Sequence, residues 1–281
     1  MNTEASNGQT RPMGAVLELT SDLACVRLSL VNAYLYGPRG GADRSWVLVD
    51  AGLKTSTRAI VRAAEARFGK KSRPAAIVLT HGHFDHVGAL KRLAELWDVP
   101  VYAHELELPY LTGKSRYLPP DPSVGGGAMA RLSPLYPRGP IDVSGWIRPL
   151  PAGGTVPPMP GWQWVHTPGH TVGHVAFFRE SDRTLIAGDA FVTTKQESML
   201  DALFFQQPHV RRPPAYYTPD WVAARASCER LLQLQPHLAG TGHGIPMYGA
   251  ALLRQLEGLV REWDLLAVPR KGKYVALEGH A

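Results

Sequence analysis

Only two cysteines occur in the 281 residues, Cys25 and Cys228. That excludes a disulfide framework and a cysteine-rich zinc cluster, and leaves reduced, buried thiols as the expectation. No block of five or six consecutive Lys or Arg is present, so the formal net charge of +6 is spread over scattered side chains. A dedicated nucleic-acid face is therefore not expected. No apolar run approaches the ~18 residues a membrane helix needs. Residues 1–13 are polar, carry Glu4 and lack an apolar stretch before a small-residue cleavage site, which argues against a secretory signal. The expectation is a cytoplasmic protein with no membrane partner. No repeat of 20–50 residues is visible either.

What is present is a core-forming composition, 44% hydrophobic and 19% charged, with strands and helices alternating along the chain. Residues 15–50 are strand-like, and residues 46–50 form a short apolar run ending in Asp50 and Gly52. Residues 55–68 repeat apolar side chains at helical spacing, residues 75–79 read as a buried strand, 87–97 as a helix and 99–103 as a strand. Further strands are expected at 162–165, 175–178, 184–187 and 237–241. Helices are expected from the cap-like Thr218-Pro219-Asp220 to about Leu234, and from Ala250 to Leu266. Two stretches, 111–160 and 192–217, read as loop insertions, the first because it is crowded with Pro and Gly. The expected organisation is a loose tail over residues 1–14 and one α/β domain over 15–281.

Polar residues gather where apolar strands end. The strand at 75–79 empties into His81, His83, Asp85 and His86, that at 162–165 into His170, that at 184–187 into Asp189 and that at 237–241 into His243. A lone His or Asp at a strand end is most often a capping or surface group, but four within six positions are not expected by chance. Ligands collect outside strand carboxyl ends, so five imidazoles and two carboxylates could converge there. His81 and His83, two apart on an extended turn, can address one ion. Asp85 and His86, where a helix starts, can address a second, and Asp189 can bridge. Nitrogen and oxygen donors without thiolate suit zinc, and iron or manganese equally.

The run His81-Gly-His83-Phe-Asp85-His86, with Thr167-Pro-Gly-His170-Thr-Val-Gly-His174, Gly188-Asp189 and Gly242-His243, resembles the metallo-β-lactamase superfamily in its glyoxalase II-like branch. The resemblance implies a four-layer αββα sandwich of two mixed β-sheets flanked by helices, with the site at one edge. It implies one metal on His81, His83 and His170 and a second on Asp85, His86 and His243, with Asp189 between them. Asp50 and His174 would support those ligands from behind. The implied reaction is attack by a metal-bridging hydroxide, with Asp85 or Asp189 handling the proton, and the expected cofactors are two zinc ions.

Departures narrow the branch. β-Lactamases of the superfamily carry Cys or Ser where Asp189 stands, so antibiotic hydrolysis is at most secondary. The diiron flavoproteins place Glu at the position of His83. Glyoxalase II enzymes extend further past the last ligand than the 38 residues that follow His243. Quorum-sensing lactonases place Tyr where Val192 stands, with Tyr216 or Tyr217 as candidate substitutes. Aromatic and apolar residues in or beside the two insertions (Tyr117, Leu135, Tyr136, Trp146, Phe191, Phe204, Phe205, Tyr216, Tyr217) suggest either a partly apolar pocket or a core beneath the loops. Of these, Phe191, Tyr216 and Tyr217 are the substrate-binding candidates. The reading is a dinuclear hydrolase of a small carboxylic ester, a lactone or thioester. The alternatives are a phosphotriesterase or phosphodiesterase, and a mononuclear iron persulfide dioxygenase. The oligomeric state is open, a homodimer included.

Overall fold

Successive residues of the central strands are buried on opposite faces, and this decides the architecture. The computed structural model describes residues 15–197 and 207–275. Seven strands form the first sheet: β1 (Val16–Glu18), β2 (Leu23–Arg27), β3 (Asn32–Tyr36), β4 (Val47–Val49), β5 (Ala76–Val78), β6 (Val101–Ala103) and β7 (Ile147–Pro149), side by side in sequence order. β1 to β4 pair antiparallel, and β4 to β7 pair parallel. The second sheet holds β8 (Trp162–His166), β9 (Val175–Arg179), β10 (Thr184–Ile186), β11 (Leu238–Gly240) and β12 (Met247–Tyr248) in the order β12-β11-β10-β9-β8. Only β10 and β11 are parallel neighbours there.

The period-2 alternation of a strand sorts its side chains into two cores. In β2, Leu23 and Cys25 face the space between the sheets, while Ala24 and Val26 face outward. In β9, Val175 and Phe177 face the same inter-sheet space, and Ala176 and Phe178 face the other way. Strands covered on both faces read as unbroken apolar runs, which is why these are legible. Helices close the outer faces. α1 (Thr57–Phe68) buries Ile60, Ala63, Ala64, Arg67 and Phe68, and α3 (Leu90–Trp97) buries Leu90, Leu93, Ala94 and Trp97, each one face of a 3.6-residue period. Trp46 lies flat on Phe68, ring centroids 4.7 Å apart, and meets Trp97 edge-on. On the far side, α6 (Trp221–Gln233) and α7 (Gly249–Arg261) cover the second sheet. Each fully buried large side chain contributes about 1.5–3 kcal/mol. The result is the expected αββα layering with two mixed sheets.

Several expected boundaries move. The helix read over 87–97 begins earlier, as α2 (Phe84–Val87), and breaks at Gly88, whose N–H donates to the Gly52 carbonyl at 2.7 Å. α3 is the remainder. The last helix splits at Glu262 into α7 and α8 (Trp263–Leu266). The segment 111–160 is not simply loop. It follows α4 (Leu108–Leu111) and carries α5 (Ala128–Leu132) and β7, which extends the first sheet. In the second stretch, Val192 bridges Arg211 and Thr193 bridges Gly244. Phe204, Phe205 and residues 1–14 lie outside the described residues.

Candidate metal centre

β4 and β5 run parallel in one sheet, and β8, β10 and β11 point the same way in the other, so their carboxyl ends meet at one edge. After β5 the chain stays extended through His83, then turns into α2, whose first turn presents Asp85 and His86. The turn after β8 delivers His170, and the ends of β10 and β11 deliver Asp189 and His243.

Three sets of donor atoms lie within 4.8 Å of one another: His81, His83 and His170; His81, His86 and Asp189; and Asp85, His86 and His243. His83 Nδ1 is 2.9 Å from His170 Nε2. Asp189 sits between the groups, its Oδ1 3.5 Å from His86 Nε2 and its Oδ2 3.4 Å from His170 Nε2 and 3.1 Å from His243 Nε2. Asp85 Oδ2 is 3.5 Å from His243 Nε2. All seven residues singled out as metal donors therefore converge. Gly242 is needed at this crowding, because a Cβ there would meet Asp189 Oδ1 and the His86 ring.

A layer of partners holds the rings from behind. Asp50, at φ +60°, accepts from the Thr80 N–H and hydroxyl, both at 2.8 Å, and its Oδ2 lies 2.9 Å from His86 Nδ1. Thr80 Oγ1 is 3.0 Å from His81 Nδ1. His174 does not join the donor sets. Its Nε2 accepts from the Asp189 N–H at 2.9 Å, and its Nδ1 is 2.8 Å from Thr167 Oγ1. Burial, reinforced by neighbouring imidazoles, pushes His81 and His170 well below the ordinary imidazole value, and burial lowers His83 and His174 to about 3. His86 is driven down by burial but lifted well above 6.5 by Asp189 and Asp50, and Asp189 likewise raises His243 against its burial. Burial opposes ionisation of Asp189, yet His243 and His86 hold it well below the usual carboxylate range.

His81 Nε2, His86 Nε2 and Asp189 Oδ1 are buried and have no hydrogen-bond partner among the described residues. Leaving three polar atoms so unsatisfied is costly unless something else fills the space they face. His81, His83 and His170, held neutral by burial, offer free lone pairs beside an ionised carboxylate, and His86 and His243 would release their protons on binding, so the donor set fits one or two divalent cations.

A sequence profile described as the metallo-beta-lactamase superfamily matches residues 26–243. The chain belongs to that superfamily. The "Probable metallo-hydrolase YflN" of Bacillus subtilis is 45% identical over 236 residues, covering 84% of this chain and 89% of the relative. The crystal structure of TTHA1623 in a di-iron-bound form is 29% identical with a TM-score of 0.51, over 80% of this chain and 93% of that one. A hydroxyacylglutathione hydrolase of Bdellovibrio bacteriovorus is more distant, 26% identical over 207 residues, 70% of this chain and 68% of the relative.

In this superfamily member the approach to the donors is a narrow cavity of about 90 Å³ walled by His83, Tyr117, His170, Val172, Tyr216 and Tyr217, among others. Among the described residues, no Lys, Arg, Asp or Glu lines it. Tyr216 and Tyr217 thus line the cavity that leads to His83 and His170. The Tyr217 hydroxyl is buried without a partner among the described residues, and burial together with the Asp85 charge raises its pKa, so it remains a donor. Phe191 corrects the third substrate-binding expectation. It is fully buried in the core between the second sheet and its helices, and it is not among the described residues that wall the cavity. Leu135 is exposed at the surface and Trp146 packs beside Asp98, so neither reaches the cavity. Sequence reasoning missed Asn32 and Tyr34, which donate from the first sheet to the Thr241 carbonyl at 2.9 and 2.7 Å, and the Leu30 carbonyl, 2.6 Å from His243 Nδ1. It also missed Glu107, whose lone acid between Leu106 and Leu108 gives no motif.

Proposed function

We propose that the chain is a dinuclear metal-dependent hydrolase of a carboxylic ester, a lactone or thioester whose reacting end is apolar. The three orphaned donor atoms at the junction of the sheets carry this reading. His81, His83 and His170 would hold one cation, Asp85, His86 and His243 the other, with Asp189 facing both. Such cations supply Lewis acidity, making water nucleophilic near neutral pH and polarising the carbonyl. The chain's own groups supply the rest. Tyr117, Tyr216 and Tyr217 exclude water from the acyl side, and the Tyr217 hydroxyl is placed to donate to a substrate oxygen. Asp85, 15% exposed, is the more open of the two central carboxylates and the better placed to take up a proton.

The YflN relative's name supports hydrolysis, and the di-iron form of TTHA1623 keeps iron beside zinc and manganese as a candidate cation. A single-iron persulfide dioxygenase would leave Asp85, His86 and His243 without a task, and their convergence favours the two-ion reading. Beyond the proposed cation ligands, a wall without Lys or Arg among the described residues favours esters over anionic phosphodiesters. The test is elemental analysis of purified protein, then turnover of a lactone, a thioester and a phosphotriester before and after chelation. Two equivalents of metal, with ester hydrolysis abolished by chelator and restored by zinc, iron or manganese, are expected. Ester turnover unaffected by complete metal removal would sink the proposal.

A further inference from the structure

Glu107 is a fully buried carboxylate that touches none of the donor atoms, yet it is bound by both turns that carry them. One oxygen, Oε2, accepts the Gly82 N–H at 2.9 Å, between His81 and His83, and also the Tyr117 hydroxyl. The other, Oε1, accepts the Thr171 hydroxyl at 2.7 Å and the Gly173 N–H at 2.9 Å, just after His170. Four donors from three segments thus converge on one acid. The turns are shaped to admit it. A Cβ at Gly173 would sit 2.8 Å from Glu107 Oε1, and one at Gly82 would strike the Tyr117 hydroxyl and crowd Oε2. The Tyr117 ring, fixed by the same bond, stands 4.5 Å from the His83 ring.

We infer that Glu107 is a positioning residue that ties the His81–His83 turn to the turn bearing His170 and thereby sets the spacing of that three-imidazole set. The inference rests on the proposed cation site. Hydrogen-bond chemistry makes it specific to a carboxylate. Both oxygens must accept, because the N–H groups of Gly82 and Gly173 can only donate. A glutamine fills the same volume but turns an NH2 toward one of those amides in either orientation, so one turn is always repelled.

The test is zinc titration of metal-free protein against a chromophoric chelator, with the cobalt absorption spectrum as a second readout. In Glu107→Gln, one of the two binding events should weaken by about 10- to 100-fold, the range for residues that support metal ligands. The other should stay near wild type, and the cobalt spectrum of the weakened site should change. Arg179→Ala serves as the control for mere loss of stability. It removes ion pairs to Asp22 and Asp182 at the other end of β9 and should leave both affinities intact. If Glu107→Gln does not fold, Tyr117→Phe combined with Thr171→Val removes the two hydroxyl donors and should weaken the same site by several-fold. Two wild-type affinities in the folded variant, or an equal loss at both sites, would overturn the inference alone. A wild-type chain that binds none of zinc, iron and manganese would overturn it together with the proposed function.

Discussion

Burial lowers every imidazole of the centre, but the Asp189 and Asp50 carboxylates lift His86, and Asp189 lifts His243, above the ordinary value, and this split sets a pH signature for the metal-free chain. His83 and His174 sit at about 3 when folded against an ordinary 6.5. Below about pH 6.5 the unfolded chain therefore takes up protons the folded chain refuses, and each group removes about 1.4 kcal/mol of stability per pH unit of acidification. His86 and His243 are raised, so their contribution is fully present below 6.5 and fades as pH climbs through their folded values. Urea unfolding of chelated protein should show stability falling from about pH 6.5 to 5; a flat or rising profile would contradict the assigned burial. A second residue-level outcome concerns Tyr217→Phe. Losing the unpartnered hydroxyl should lower kcat for the ester about 10-fold or more with metal content unchanged, as expected of a donor to the transition state; unchanged kcat would remove that role. The donors themselves were legible because seven His and Asp residues stand at the ends of apolar runs. Glu107 was not, because its meaning lies in four hydrogen bonds from distant segments. Phe191 was misplaced because proximity to Asp189 in sequence does not reveal which face a side chain takes.

At the scale of elements, local chemistry was readable wherever the signal sits in the segment itself. The Thr218-Pro219-Asp220 cap is one case: the Asp220 side chain accepts the Ala223 N–H at 2.8 Å and starts α6 at Trp221. α6 in turn braces the turn of His170, with Ser227 Oγ donating to the Pro168 carbonyl at 2.7 Å. Asp220→Ala should cost about 1 kcal/mol, read as a lowered urea midpoint, while zinc affinity stays put. β7 shows the opposite case. Its Ile147-Arg148-Pro149 has no strand pattern of its own and forms because β6 offers a free edge; an edge position also tolerates the proline. Gly88 likewise divides α2 from α3 through a bond to Gly52, a partner that no helical periodicity announces.

For the whole molecule, the apolar strands and amphipathic helices were legible in the residue pattern, because strands covered on both faces have few polar interruptions, whereas the αββα layering was implied by the resemblance that the His and Asp motifs carry. The mutual docking of the sheets was not, since it depends on side chains such as Phe177, Trp162 and Val78 meeting across the gap. Phe177→Ala should destabilise by about 3–5 kcal/mol, measurable by denaturant unfolding, because it opens a void where neither sheet can collapse without moving the other. The donors are shared across that same gap. His81, His83, Asp85 and His86 belong to the first sheet, His170, Asp189 and His243 to the second. An ion gripped from both halves would act as a rivet through their seam. Metal starvation should then loosen the protein along that line, with hydrogen exchange quickening together in turns that are far apart in sequence.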